Sequence, residues 1–244
     1  MKFNVDYSCK DINKVVGILL GLDLGLAIAF CVIHIFATDL SFGPLRPLFD
    51  LDSDLSIPGW YSSIKLFLVA CCVFIASQNN SYKRYLPSSW LFFLGFLFLF
   101  LSMDEGAAVH ERLSDTARRL QLDWLLIGGH GAWIILYAVL AFPLFLLSWR
   151  YLKRMWKYFQ NETTKAFIGF VILCSGSVVF EVIGYFFLRS DLTSTSYKVG
   201  VMIEESLEMV GVSIILYSMM LLSLSLTSKK ASNSSSRLPK SSIR

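Results

Sequence analysis

The sequence predicts an all-α polytopic membrane protein, a bundle of six transmembrane helices. Of its 244 residues, 55% are hydrophobic and only 16% are charged, and the mean hydropathy is +0.59. This composition is too apolar for a soluble domain of this length. A membrane core about 30 Å thick needs roughly 20 apolar residues per helix, and six continuous runs reach about that length.

The six predicted spans are, in order, residues 15–37, 60–78, 89–110, 124–148, 165–188 and 199–225. Because the apolar runs are long and continuous rather than short and alternating, they exclude a β-barrel. The second span is the weakest, since Lys65 interrupts it. Lys10 and Lys14 before the first span are also typical of a signal peptide, but the apolar run continues to Phe36, which is longer than a usual signal core. We therefore expect one transmembrane domain over residues 1–226.

Basic residues at the ends of the spans predict the orientation. With both termini on one side, the segments on that side carry 15 of the 22 Lys and Arg residues. The positive-inside rule then places both termini in the cytoplasm. Residues 227–244 are Ser-rich and basic, so they are predicted to form a disordered cytoplasmic tail on the lipid headgroups. The net charge of +4 comes mainly from this tail and the 149–165 loop, and it does not indicate nucleic-acid binding.

The third span ends in an unusual polar stretch, "LSMDEGAAVHERL" at residues 101–113. A rise of about 1.5 Å per residue brings polar residues from five helices to a similar depth near the outer face. These nine residues are His34, Asp104, Glu105, His110, Glu111, His130, Glu181, Glu204 and Glu208. A charge facing lipid costs about 2.5 to 3.5 kcal/mol near the bilayer centre, so we expect these side chains to face a common interior site under the 38–59 loop.

The spacing of the acids favours a site that holds a cation or shared protons. Asp104 and Glu111 are seven residues apart, which returns them to within about 20° of the same helix face. Glu204 and Glu208 are four apart and stack on one face. Like charges at these spacings repel each other unless a cation or a proton lies between them.

The first functional hypothesis is a metal site that holds one or two ions. The predicted ligands are Asp104, Glu105, His110, Glu111, His130, Glu181, Glu204 and Glu208. Carboxylates with imidazoles suit Zn, Mn or Fe, and such a metal would support chemistry on a lipid or small-molecule substrate. Glu111 or Glu208 would then act as the general base, and Tyr185 as an oxyanion donor unless it is an interfacial tyrosine. Di-metal bundles carry Glu-x-x-His pairs, which this chain lacks, so no particular cofactor follows.

Two alternatives from other classes stay open. The first is a proton- or cation-coupled carrier, in which Asp23 would extend the outer cluster inward, although pairing with Lys65 is the simpler account of Asp23. The second is a structural subunit of a membrane assembly, in which arginines neutralise the acids. The candidate arginines are Arg112, Arg118, Arg119 and Arg189. The sequence leaves the oligomeric state open.

Two motifs carry a family resemblance. The turn "PGWYSS" at residues 58–63 opens the second span, and the stretch at 101–113 closes the third. Together they resemble a family of uncharacterised bacterial multi-pass membrane proteins over most of residues 15–220. This resemblance implies a six-helix fold in a bacterial inner membrane and implies no activity. The His-x-x-x-His pair of alkaline ceramidase and adiponectin-receptor-like hydrolases is absent, so their zinc chemistry is not carried over.

Overall fold

The computed structural model describes residues 8–36, 42–53, 55–79, 83 and 86–235, and all regular structure in these residues is helical. The helices are α1 (Cys9–Phe36), α2 (Ile57–Asn79), α3 (Ser88–Ala107), α4 (Val109–Arg119), α5 (Ala132–Tyr158), α6 (Gln160–Leu188) and α7 (Thr195–Ser235). Six of them, all except α4, are long and apolar enough to cross a membrane. The predicted six-helix bundle is therefore confirmed.

Several helix ends differ from the predicted spans for local reasons. Helix α1 begins at Cys9, before the apolar run, because the Ser8 and Asp11 side chains cap its first turn reciprocally. Helix α5 begins at Ala132 rather than at residue 124, because residues 123–129 form short 3₁₀ turns. Helix α7 continues to Ser235, into the stretch predicted to be disordered, and residues 236–244 lie outside the described residues.

The polar stretch that closes the third span is a helix break. Helix α3 ends at Ala107, and Ala108 has a left-handed backbone with φ of 51°. The chain then starts the strongly amphipathic helix α4 at Val109, which packs against α5. A continuous third span to residue 110 was predicted, but the left-handed Ala108 separates Asp104 and Glu105 from His110 and Glu111.

Helix α7 is the centre of the bundle. Most of its apolar stretch is buried, and helices α1, α2 and α6 pack directly against it. Glycines allow α6 and α7 to approach closely: a Cβ atom on Gly211 would lie 2.6 Å from the Leu173 nitrogen, and one on Gly176 would lie 2.7 Å from the Glu204 carbonyl oxygen. Small residues at a crossing are a common way to pack helices in lipid.

Helix α5 lies at the periphery and presents an apolar face to lipid. Val139, Leu140, Phe142 and Leu147 on this helix are all more than 60% exposed. Six crossings bring the start of α1 and the end of α7 to the same side of the bundle, which we call the terminal face. The opposite side, where α3 ends and α5 begins, we call the distal face. The ionisable residues predicted to form a site belong to this distal half.

Candidate functional site at the distal face

The site begins at the helix break, where Asp104 is held in three ways. Its Oδ1 atom accepts a hydrogen bond from the His110 backbone N–H at 2.8 Å and another from the Tyr137 hydroxyl at 3.0 Å. The His110 ring nitrogen Nδ1 lies 3.4 Å from the same oxygen. Asp104 thus caps the first turn of α4 from the end of α3, because the cap residue Ala108 has no side chain that could do so.

An acid pair joins α6 to α7 beside this cap. The Glu181 and Glu204 carboxyl groups approach within reach of a hydrogen bond, and His110 is close enough to act electrostatically on Glu181. A hydrogen bond between two carboxyl groups requires a proton held between them. Glu181 lies between two π-helical turns, Ser175–Phe180 and Gly184–Leu188. Such turns widen a helix and are frequent at functional sites.

Arg189 and Tyr185 complete the surroundings of Glu181. The Tyr185 hydroxyl donates a hydrogen bond to Glu181 Oε1, and the Arg189 guanidinium lies 3.6 Å from the same oxygen. Burial alone would lower the pKa of Arg189, but the Glu181 carboxylate, helped by Asp52, raises it above its ordinary value. The guanidinium therefore stays charged. About one sixth of the Glu181 side chain is still exposed, with a relative exposure of 16%.

His130 belongs to the rim of the site, in the turn before α5. Its ring stacks on Tyr185 with centroids 5.4 Å apart, and its Nδ1 lies 2.8 Å from the Arg118 guanidinium. Burial lowers the pKa of His130, and the positive charges of Arg118 and Arg189 lower it further. The ring is therefore neutral near pH 7 and accepts a hydrogen bond from Arg118.

The segment from Phe42 to Ser53 roofs the distal face. The Tyr197 hydroxyl, on α7, donates to the Asp52 carboxylate, 2.9 and 2.8 Å from its two oxygens. Leu51 is buried in an apolar cluster with Phe30 and Tyr197. His34 Nε2 lies 3.1 Å from the Arg46 carbonyl oxygen, which ties the roof to α1. These contacts shield the acid pair from one side.

A second polar network lies deeper, in the middle of the bundle. Lys65 Nζ is 2.8 Å from Asp23 Oδ1 and 2.8 Å from the Met209 carbonyl oxygen, and 3.4 Å from Ser213 Oγ. The Ser213 hydroxyl donates to the other Asp23 oxygen at 2.7 Å. The network links α1, α2 and α7, and both members of the ion pair are almost completely buried.

A family model, that of a domain of unknown function, DUF8692, matches residues 18–224. The chain belongs to this family. The match spans nearly the whole bundle, so the site and the Asp23–Lys65 network both lie within the DUF8692 domain. No curated protein and no solved structure matches the chain.

The DUF8692 fold brings together some of the predicted ligands and separates others. Asp104 contacts His110, and Glu181 contacts Glu204. Glu105 is half-buried and acts electrostatically on Lys65, Glu111 is exposed, and the Glu208 side chain packs beside Gly176. His130 lies in the turn before α5, and therefore outside this membrane-spanning helix, at the rim of the site. Throughout the described residues, which include all eight predicted ligands, no three His, Cys, Asp or Glu side chains form a group that could hold a metal ion.

Sequence reasoning missed several polar partners in the site. Tyr137, Tyr197 and Asp52 contact the predicted acids or roof them, yet none stood out in the sequence. Tyr137 carried a usable signal, because a tyrosine deep in an apolar span needs a partner for its hydroxyl. No such signal in the sequence identified Asp52, since a loop carboxylate close to other acids has many possible partners.

Proposed function

We propose that this DUF8692 protein is a proton-coupled carrier that exchanges a proton for a cation at the Glu181–Glu204 pair. The observation that carries the proposal is the close approach of these two carboxyl groups, on α6 and α7, inside a membrane bundle. A pair that shares a proton gains full negative charge when the proton leaves, and it then attracts a cation. Buried acids of this kind are the usual proton-exchanging groups of membrane helices.

The charges around the Glu181–Glu204 pair support the exchange of a proton for a cation at this pair. One shared proton leaves the pair with a net charge of −1, and the Arg189 guanidinium at 3.6 Å from Glu181 balances it. A cation that replaces the proton brings a charge equal to or larger than that of the proton. The site therefore tolerates either occupant, provided that the proton and the cation do not bind at the same time.

The test is proton release triggered by cations. The purified protein in weakly buffered detergent receives pulses of Na⁺, K⁺, Mg²⁺, Mn²⁺ or Zn²⁺, and a pH indicator reports released protons. The same protein in pyranine-loaded liposomes reports transmembrane exchange. We expect one class of cation to release about one proton per chain, and we expect Glu181→Gln and Glu204→Gln to abolish this release. Asp123→Asn, an exposed acid outside the site, is the control. No release with any cation would reject the exchange function.

Metal-dependent chemistry on a lipid or small substrate is a second proposal, favoured by the approach of His110 to Glu181 next to Asp104. Zn, Mn or Fe would bind with loss of the shared proton, and Glu111 or Glu208 would supply a general base. Elemental analysis after incubation with each metal and desalting separates the two proposals. A bound equivalent that survives desalting and is lost in Glu208→Ala favours the metalloenzyme, whereas a weakly held cation favours the carrier.

For the location, we propose a bacterial inner membrane with the terminal face in the cytoplasm. The support is the excess of Lys and Arg on the terminal face, 15 of 22, together with the family resemblance described above. The acid pair would then open towards the outside, and the proton would enter the protein from that side.

A further inference from the structure

The Asp23–Lys65 network has a complete set of hydrogen bonds. The three N–H donors of the Lys65 ammonium face Asp23, the Met209 carbonyl and Ser213, while its charge also lies 4.3 Å from the Tyr61 ring centroid. The two Asp23 oxygens accept from Lys65 and from Ser213. Lys65 is 0% exposed and Asp23 is 2% exposed. The ion pair is thus held by a closed set of hydrogen bonds, to which the Ser213 hydroxyl also donates a proton.

Two further acids, next to distal-site residues in the sequence, lie near the Asp23–Lys65 network and the acid pair. Glu105 on α3 acts electrostatically on Lys65, and Glu205 on α7 acts on Glu204. Tyr217 follows Ser213 by four residues, so these two side chains share one side of α7, because residues four apart lie on the same helix face. The charged and titratable groups around Lys65 are Asp23 on α1, Tyr61 on α2 and Glu105 on α3. Helix α7 contributes the Ser213 hydroxyl.

The row continues towards the terminal face. Tyr217, one turn beyond Ser213, donates its hydroxyl proton to Asn13 Oδ1 at 2.9 Å, and this contact is exposed. Polar groups therefore lie at the distal acid pair, in the middle of the bundle and, at Tyr217 and Asn13, nearer the terminal face. The apolar residues of the spans fill the rest of the bundle.

We propose that Asp23 and Lys65 form a proton-transfer station that passes protons between the distal acid pair and the terminal face. This inference rests on the proposed exchange function and names the internal route that it would use. In the step, the Nζ–H bond of Lys65 breaks and an O–H bond forms at Asp23 Oδ1, 2.8 Å away. The result is a neutral amine beside a neutral acid. The amine then takes a proton from the distal acids, and Asp23 gives its proton to water on the terminal side, where the contact between Tyr217 and Asn13 is exposed, so that one proton enters and one leaves.

A purely structural ion pair is the competing account, and substitutions that keep the charges separate the two. Arginine keeps a positive charge beside Asp23 but does not give up its proton at any accessible pH. Lys65→Arg therefore preserves a structural pair and blocks a relay. Replacing both members at once, as in Asp23→Asn with Lys65→Met, removes the pair without leaving an isolated buried charge, which is the strongly destabilising case. If arginine is too large for the buried position, the double variant tests the relay in its place.

The experiment measures two signals on the full-length protein: proton release by the effective cation in detergent, and cation-driven proton flux in liposomes. For Lys65→Arg and for the double variant, we expect release at the wild-type level and flux reduced more than tenfold. Lys14→Arg, on the exposed side of α1, is the matched control and should retain both signals. Asp23→Glu keeps a carboxylate at the station and should retain part of the flux.

The outcomes are distinguishable. If the wild type shows no proton release in detergent, the exchange function itself fails, and the station fails with it. If the wild type shows both signals and either variant supports flux within twofold of wild type, the exchange function stands and the station is rejected. Thermal unfolding of each variant is recorded in the same detergent, and flux is compared only for variants whose midpoint lies above the assay temperature.

Discussion

At the scale of the residue, Asp104 shows why an acid ends a membrane-spanning helix in this protein. Its carboxylate satisfies the His110 backbone N–H at the start of α4 and the Tyr137 hydroxyl inside the bundle. In lipid, a helix can break only where the freed backbone groups find partners. The carboxylate supplies such a partner, and it does so from the helix that has just ended.

Removing this carboxylate should loosen α4 without unfolding the bundle. In Asp104→Ala, the loss of the cap costs α4 about 1 to 2 kcal/mol, and the unsatisfied Tyr137 hydroxyl separately costs α5 about 1 to 3 kcal/mol. We expect hydrogen–deuterium exchange in the peptide covering Val109–Arg119 to become roughly 5- to 30-fold faster, which corresponds to 1 to 2 kcal/mol of local stability.

Two comparisons make this measurement specific. Asp123→Ala, an exposed acid close to α4 in the sequence, should leave the exchange of the same peptide unchanged. Tyr137→Phe should give a smaller acceleration than Asp104→Ala, because the cap to His110 remains. Unchanged exchange in Asp104→Ala would show that the cap does not hold α4 in place.

At the scale of the helix, the crossing of α6 and α7 positions the acid pair. Gly169 and Gly211 bring the two backbones together, and Gly176 lets α6 pass the Glu204 carbonyl oxygen and the Glu208 side chain. Because Glu181 follows Gly176 within the same distorted part of α6, its carboxyl reaches Glu204 on the neighbouring helix. The acid pair therefore depends on a backbone contact made by residues that carry no functional group.

A side chain at this crossing should separate the pair. A Cβ atom on Gly211 would meet backbone atoms of Leu173 and Gly169 at 2.6 to 2.8 Å, and overpacking of this kind costs about 1 to 3 kcal/mol. We expect Gly211→Val to lower the thermal unfolding midpoint and to reduce cation-triggered proton release. Gly25→Val is the control, because no atom lies within 4 Å of the added Cβ atom at that position. Equal behaviour of the two variants would contradict a role for close α6–α7 packing.

At the scale of the whole molecule, the bundle separates its charges by side. The distal half holds the acid pair, the cap and the rim histidine, whereas most Lys and Arg residues flank the terminal face. The six crossings make the start of α1 and the end of α7 share one face, so the orientation of one helix sets the orientation of all. The direction in which the acid site opens is then a consequence of loop charge and not of the site itself.

Reporter fusions test this orientation. We expect a green fluorescent protein fused after residue 226 to fluoresce, because it folds on the cytoplasmic side, and alkaline phosphatase fused at the same position to be inactive. Alkaline phosphatase inserted at Gln121, in the turn after α4, should be active. The opposite pattern would turn the acid pair towards the cytoplasm and reverse the proposed direction of proton entry.

The sequence by itself determined the class of this protein and the number of its membrane-length helices. Continuous apolar runs of membrane length form helices in lipid, because a helix satisfies its own backbone hydrogen bonds. This does not depend on which helices are its neighbours. The sequence also indicated that acids such as Asp104, Glu181 and Glu204 belong to one interior region, since isolated charges facing lipid are costly.

Only the tertiary structure decided which of these residues meet. The left-handed Ala108 separates the two halves of the 101–113 stretch, and the π-helical turns around Glu181 shift its direction on α6. Counting residues along ideal helices misses both effects, so it could not assign Asp104 to a cap, Glu204 to Glu181 or His130 to the rim. Pairing between helices depends on how closely their backbones approach, and glycines such as Gly211 set that distance through contacts that are not local in the sequence.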